Sequence, residues 1–420
     1  AAALKAFIDF ILNNRDGLCT EFGFTEPSAS LRQLSLSAAD TITYPAGMEA
    51  FTFEENTAAY TGMRSNVISS KRHAYDDYER SVIQDNIRDA LAARTAPSPA
   101  PAADATQMLN DNEIVPLHGS GTTNPKNWFA KTMKLMETRS RVPLLLTYRA
   151  VGSGTGQKEF VGDENSKYKS YSAFGAGDIP MSAANYNTLT SQDPPQTMVH
   201  LPFGMGAIGI FHSVDVGELA LSACLLAKIF SGQITTWDHE DVKAENPGLS
   251  VPAGQAIHVA HRTLGSSSTG GLSGYLDKKC SDHWTLGASS SIDWPQTDSF
   301  HPVEGSPGMQ AFIRDNAYAI GYLDAGHGHD FGLREVALTN LDGKKRTSKQ
   351  SIELGGVADA GSEGVSRGAF PPDPAGDWSA VNLYDMPGEN TWPIVLVSYL
   401  YVKKDQSATN PKTAAALKAF

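Results

Sequence analysis

The stretch Val259-Ala-His-Arg-Thr-Leu-Gly-Ser-Ser-Ser-Thr-Gly270 decides how this chain is read. An apolar strand, Ala256-Ile-His-Val-Ala260, runs into an arginine and then into a glycine and three serines that open a helix. The first turn of a helix leaves backbone N–H groups unpaired and carries partial positive charge, so it holds a tetrahedral oxyanion well. Glycine lets the main chain approach closely, and serine hydroxyls add donors.

Three more loops of the same kind lie upstream. They are His118-Gly-Ser-Gly-Thr-Thr-Asn-Pro125, Tyr148-Arg-Ala-Val-Gly-Ser-Gly-Thr-Gly-Gln-Lys158 and Phe174-Gly-Ala-Gly-Asp-Ile-Pro-Met-Ser182. Each follows an expected strand or opens an expected helix. A small-residue run before a helix is ordinarily only an N-cap. Four in one chain, one with Arg262 and one with Asp178, point to a common anion site. Neighbouring motifs do not fit. Gly152 to Lys158 has neither the spacing of a P-loop nor a Ser or Thr after the lysine, and no G-x-S-x-G elbow occurs. His327 and His329 form a tight pair without a third ligand in view, which reads as a solvated loop rather than a metal site.

Working outward, strand-like and helix-like segments alternate from Glu113 onward at α/β spacing. Pro143–Tyr148, His200–Phe211, Ala256–Ala260 and Ile394–Val397 read as buried strands, Leu219–Ile229 and Met309–Asn316 as helices. Residues 26–92 are polar and mixed, with a helix expected at 75–93, and 95–103 is a stiff Pro/Ala-rich linker. The 420 residues suffice for two or three domains; 41% are hydrophobic and 19% charged, and no apolar run reaches the roughly 18 residues of a membrane span. A net charge of −12 argues against nucleic acid and anionic membranes as partners, and leaves an anion site dependent on local hydrogen bonds. Cys19, Cys224 and Cys280 do not form a disulfide framework; three unpaired cysteines are expected, with one bridge plus a leftover thiol as the alternative.

Ala1-Ala-Ala-Leu-Lys-Ala-Phe7 recurs as Ala414-Ala-Ala-Leu-Lys-Ala-Phe420. A fusion scar would produce this, but a tandem array with this period is the expectation, because the joined ends continue one amphipathic helix through Ile8, Ile11 and Leu12. The chain opens with Ala and no basic stretch precedes an apolar run, so a mature or excised segment is expected.

The four loops resemble, in order and wording, the PstS-like periplasmic phosphate-binding proteins of ABC transporters. Lys228-Ile-Phe-Ser-Gly-Gln-Ile-Thr-Thr-Trp-Asp238, Asn246-Pro-Gly-Leu249, Ala319-Ile-Gly-Tyr322 and Trp392-Pro-Ile394 are further landmarks, and the resemblance covers about 113–420. It implies an α/β, type II periplasmic-binding-protein fold: two lobes, a hinge and a ligand cleft between them. It implies lobe one at 113–198 and 388–420, lobe two at 199–387, an inter-repeat segment at 26–112, and residues 1–25 as the closing helix and tail of a preceding repeat or, permuted, of this one. It also implies inorganic phosphate as ligand with no cofactor, no metal and no catalysis, and a periplasmic, cell-surface or extracellular location. The implied partners are a membrane transporter and neighbouring identical repeats. The rival reading is a structural unit of an extracellular fibre or surface layer, with phosphate binding vestigial or secondary.

Carried over position by position, the resemblance assigns the ligand to Thr123 and Asn124 through backbone N–H groups, with the Thr123 hydroxyl added. It further assigns Ser153, Arg262 and the helix start Ser266, Ser267 and Ser268. Asn124 stands where the family has an aromatic residue, and Leu264 where it has an acidic partner for the arginine. Asp178 is expected to accept a proton that phosphate retains and sulfate lacks, so that sulfate is rejected. An N-cap role at Ile179-Pro180 is the plainer alternative for Asp178.

Overall fold

The computed structural model describes residues 18–44, 66–68, 115–139, 144–162 and 172–407. The N-terminal part carries α1 (Leu18–Glu21), α2 (Ala29–Ala39) and β1 (Asn66–Ile68). Then come β2 (Val115–Gly121), α3 (Lys126–Arg139), β3 (Leu144–Ala150), α4 (Ser153–Val161), β4 (Phe174–Gly177), α5 (Ala183–Thr190) and the long β5 (Met198–His212). The second half holds β6 (Leu219–Leu221), α6 (Ala223–Phe230), α7 (Glu240–Glu245), β7 (His258–Arg262), α8 (Ser267–Cys280), β8 (Phe300–Val303) and α9 (Gly305–Asp315). It ends with β9 (Ala319–Asp324), α10 (Ala325–Asp330), β10 (Arg334–Thr339), β11 (Lys345–Arg346), α11 (Ser348–Glu353), α12 (Gly356–Ser366), β12 (Leu383–Tyr384) and β13 (Ile394–Lys403).

One sheet path runs β1-β3-β2-β4-β13-β5-β9-β7-β8. Its two wings are built alike: β3, β2 and β4 are parallel in one, β9, β7 and β8 in the other. β4 is buried throughout, β9 and β7 at all but one position each, and β8 at the edge of its wing is partly exposed. Antiparallel β5 and β13 join the wings. The first part of β5, Met198–Ala207, pairs with β13, and its last part, Ile208–His212, pairs with β9. A single 15-residue strand is thus shared by both lobes. Because the parallel strands of both wings end at this junction, the loops after β2, β3, β4, β7 and β9 are the ones that can meet, as ligand loops do in open α/β sheets.

Close backbone approach sets these loops. A Cβ on Gly121 would lie 1.8 Å from the Ala176 carbonyl oxygen, and one on Gly156 2.2 Å from the Gly121 Cα. Glycine alone lets α4 start so near the ends of β2 and β4.

Residues 18–44 wrap onto β5. Thr25 and Met205 exchange backbone hydrogen bonds of 3.0 and 3.1 Å, Phe24 packs on Trp128 with centroids 5.3 Å apart, and Leu31 is wholly buried in the main core. Helix α2, Ala29-Ser-Leu-Arg-Gln-Leu-Ser-Leu-Ser-Ala-Ala39, lies within the 26–92 stretch read as polar and mixed. Ser28 caps it, and its buried face is only Leu31, Ser35 and Ala38, so small residues make the contact. The helix expected at 75–93, the 95–103 linker and the repeated ends lie outside the described residues. The helix expected at Leu219–Ile229 starts later: Leu219–Leu221 pairs with Val336–Leu338 as a strand, and Ser222 caps the helix at Leu225.

The expectation of three unpaired cysteines is overturned. Cys224 and Cys280 form a disulfide with Cα atoms 5.2 Å apart, tying the start of α6 to the end of α8, while buried Cys19 takes no part. A sequence separation of 56 residues says nothing of this, because only packing of the two helices brings the pair together.

Two outcomes follow for stability. Replacing both Cys224 and Cys280 by Ala should cost about 2–4 kcal/mol in urea unfolding, since the loop they close is long. Phe24→Ala should cost about 3–5 kcal/mol in the same assay; an unchanged midpoint would mean that the 18–44 segment merely rests on the sheet.

Candidate functional site

Asp178, immediately after β4, is 3% exposed and has no ion-pair partner among the described residues; four side-chain donors solvate it instead. Its Oδ2 accepts from Thr122 Oγ1 at 2.5 Å, Asn124 Nδ2 at 2.8 Å and Ser267 Oγ at 2.9 Å. Its Oδ1 accepts from Ser398 Oγ at 2.6 Å. The donors come from the loop after β2, from the start of α8 and from β13, so both lobes and a joining strand converge on one carboxylate. Its own backbone N–H donates to Ser153 Oγ at 3.2 Å, which brings in the β3 loop. Burial pushes the Asp178 carboxyl up from its ordinary range, and the hydrogen bonds from Ser398, Thr122, Ser267 and Asn124 pull it back. Two of the four lone pairs of a carboxylate belong to each oxygen, so Oδ1, with one donor, retains room for another proton.

The opposite wall is the helix start read from sequence. Ser266 caps α8, accepting from Ser268 N at 3.2 Å and Thr269 N at 3.5 Å. Ser266, Ser267 and Ser268 are all buried. Arg262, at the end of β7, is 8% exposed, and its Nε has no hydrogen-bond partner. No ion pair from Arg262 occurs among the described residues. Leu264, at the family's acidic position, points outward at 52% exposure. Burial lowers the Arg262 pKa, partly offset by Tyr322 and Glu304. A buried, unpaired guanidinium is costly unless it meets an anion. The lobes touch here: a Cβ on Gly152 would lie 2.8 Å from the Gly265 carbonyl oxygen.

Of the sequence-assigned residues, the structure brings Asn124, Ser153, Asp178 and Ser267 into direct contact, with Ser266 and Ser268 in the adjoining turn and Arg262 on the strand that leads into it. Thr123 is the exception. It is only half-buried, and its carbonyl accepts from Lys126 N at 3.4 Å, while Thr122 is the one turned to Asp178. Successive residues leaving a strand face opposite ways, and the sequence places two threonines there without saying which turns inward. Asn124 works through its amide rather than its backbone N–H, which is directed at Thr122 Oγ1 at 3.4 Å. Asp178 does not cap the next helix; Ser182 does, accepting from Asn185 N at 3.3 Å.

Two further residues went unread. Ser398 is the one small hydroxyl inside the apolar run of β13, a signal available to a closer reading. Asp324 ends β9 and caps α10 by accepting from Gly326 N at 3.2 Å, and Asn124 Nδ2 lies 3.4 Å from its other oxygen. Burial first, then the charge of Asp178, pushes the Asp324 carboxyl up to about 7. His327 and His329, expected on a solvated loop, sit on α10, where His329 Nε2 lies 3.2 Å from Glu335.

A two-lobed α/β binding protein with its ligand loops at the ends of two parallel wings is the class that this arrangement defines, the type II periplasmic-binding-protein fold. A family model described as a PBP superfamily domain matches residues 95–420, and the chain belongs to that family. The chain is 29% identical over 310 residues to the phosphate-binding protein PstS of Haemophilus influenzae, covering 72% of this chain and 82% of that one. It is 27% identical over 314 residues to PstS of Methanocaldococcus jannaschii, covering 72% and 76%. A solved phosphate-binding protein from Stenotrophomonas maltophilia is 19% identical, with a TM-score of 0.46 over 68% of this chain and 78% of that one.

The Asp324 carboxyl has a testable signature. Its folded pKa, about 7, lies above the ordinary 3.8, so between these values the folded protein keeps a proton that the unfolded chain has released. Stability from this group is therefore present at low pH and lost as pH rises through about 7. Asp324→Asn keeps a cap for Gly326 without the charge. Its melting temperature relative to wild type should rise between pH 5 and pH 8 by about 2 °C or more. A difference that stays flat with pH would mean that Asp324 is ionised throughout.

Proposed function

We propose that this chain binds inorganic phosphate in the interlobe cleft, without catalysis and without a cofactor. The observation that carries the reading is the buried carboxylate of Asp178, solvated by donors of both lobes, beside a serine-rich helix start and an unpaired buried arginine. Donors and Arg262 attract an oxyanion; Asp178 admits only one that brings a proton to Oδ1. Inorganic phosphate near neutrality has that proton and sulfate does not. In this reading, Arg262 and the N–H and hydroxyl groups of Ser266, Ser267 and Ser268 hold the anion from lobe two. Asn124 and Ser153 hold it from lobe one, with Thr123 reaching it only through its backbone N–H, while Thr122 and Ser398 keep Asp178 in place. The PstS relatives, phosphate-binding by name, support the same ligand.

The lobes are taken as 113–198 with 388–420, and 199–387, with the 1–25 segment closing lobe one of this same unit; in its described part, the packing of Phe24 on Trp128 of lobe one favours that placement. The identical ends support a place in a tandem array, in which the neighbours are copies of this unit and a membrane transporter is the further partner. The Cys224–Cys280 bridge supports a periplasmic, cell-surface or extracellular setting, where disulfides persist. No helix among the described residues is long and apolar enough to cross a membrane. The repeat also favours a second reading, a structural unit of a fibre or surface layer with binding vestigial or secondary.

Titration calorimetry separates the two. Phosphate should bind with sulfate at least about 100-fold weaker, and Arg262→Leu should weaken phosphate about 10- to 100-fold, the loss expected for charge-assisted hydrogen bonds. Absence of phosphate binding would leave only the structural reading.

A further inference from the structure

Two carboxylates, buried Asp178 and half-buried Asp324, meet where the loops of the two wings converge, and the proposed site uses only the first. Asn124 spans them: its single amide nitrogen lies 2.8 Å from Asp178 Oδ2 and 3.4 Å from Asp324 Oδ2. Asp324 also stands at the closest approach of β5, where a Cβ on Gly206 would lie 3.1 Å from Oδ2, so the carboxyl is confined from that side. Resting on the phosphate reading, we propose that Asp324 is a specificity-determining residue of the site: a second carboxylate, tied to Asp178 through the Asn124 amide, that lets the oxyanion in only together with a proton.

Charge balance is the argument. With both carboxylates ionised, a doubly charged phosphate would share a buried cleft with two negative groups, against one guanidinium and the partial charge of the α8 N-terminus. Such an excess is not sustained without solvent. The proton must therefore reside on one carboxyl, and the donor sets decide which. Asp178 accepts four side-chain hydrogen bonds and is suited to remain ionised. Among the described residues, Asp324 accepts from the helix it caps and from the long Asn124 contact, fewer donors than Asp178 has, so it is the one suited to be neutral.

The groups around Asp324 do not reverse this. Asp178 across the cleft and Asp330 on α10 both disfavour its ionised form, whereas the backbone N–H groups of Gly326 and His327 favour it. Burial first, then the charges of Lys126 and Arg262, lower the His327 pKa against the opposing charge of Asp330. Asn124 is what makes the arrangement possible, since its side-chain amide is the donor that reaches both carboxyls. On binding, the doubly charged phosphate and one solvent proton enter together, and the proton ends on Asp324.

The test is calorimetric titration of the whole chain with inorganic phosphate between pH 6 and pH 9, in pairs of buffers with different ionisation heats. At pH 8 wild type should take up close to one proton per phosphate, with Kd rising about tenfold per pH unit above that. Asp324→Asn should lose most of the uptake and flatten the pH dependence, and Asp324→Glu should keep both. Wild-type binding with no proton uptake, or unchanged uptake in Asp324→Asn, would overturn the proposal while leaving the phosphate reading intact. No binding heat and no rise in melting temperature with phosphate at any pH would instead remove the phosphate reading itself.

Discussion

The structure around the cleft depends on solvating one carboxylate with protein rather than water. A buried Asp178 with nothing to accept from would cost several kcal/mol or take up a proton. The chain instead supplies four side-chain donors from segments as far apart as Thr122 and Ser398. Each donor needs its strand end at the same place. The parallel wings, the shared β5 and the glycines that let α4 start against β2 are therefore parts of one requirement. Lobe closure is part of it too, because Ser267 belongs to the opposite wall.

A cleft built this way balances opposite demands. In the proposed site, Arg262 and the α8 N-terminus draw an anion inward, while Asp178 and an ionised Asp324 oppose it. Selectivity arises from that opposition: an oxyanion that can satisfy an acceptor as well as donors gains, and one that offers only lone pairs does not. The net charge of −12 gives an anion no overall attraction, so the proposed recognition rests on short hydrogen bonds in a buried site, where salt screens poorly.

Most of the site was visible as chemistry before any fold was known. Gly-Ser-Gly turns, the serine run at 266–268 and Asp178 behind Phe174-Gly-Ala-Gly177 each carry a local physical reason. What escaped was orientation. Thr122 and Thr123 are chemically identical neighbours, and only the twist of the chain leaving β2 turns one to Asp178. Asn124 looked like a tolerated substitution at a backbone contact, yet its side chain bridges two acids. Ser398 is hidden in an apolar run, and nothing local marks Asp324 as more than the residue that ends a strand and caps the next helix. The expectation of unpaired cysteines failed for the same reason, because the pairing of Cys224 with Cys280 belongs to the contact of two helices and not to spacing.

By itself, the sequence determined the local states: alternating strand and helix from Glu113 onward, four anion-type loops, an acidic chain without a membrane-length apolar run, and a seven-residue identity between its ends. These follow from periodicity, capping and composition, which act over a few neighbours. Tertiary structure alone decided which loop side chains converge, that the segment 18–44 packs its Phe24 and Leu31 into the body of the protein, and that a second carboxylate faces the first. Those outcomes depend on contacts between residues far apart in the chain, whose geometry is set only once the sheet is assembled and water is excluded from its junction.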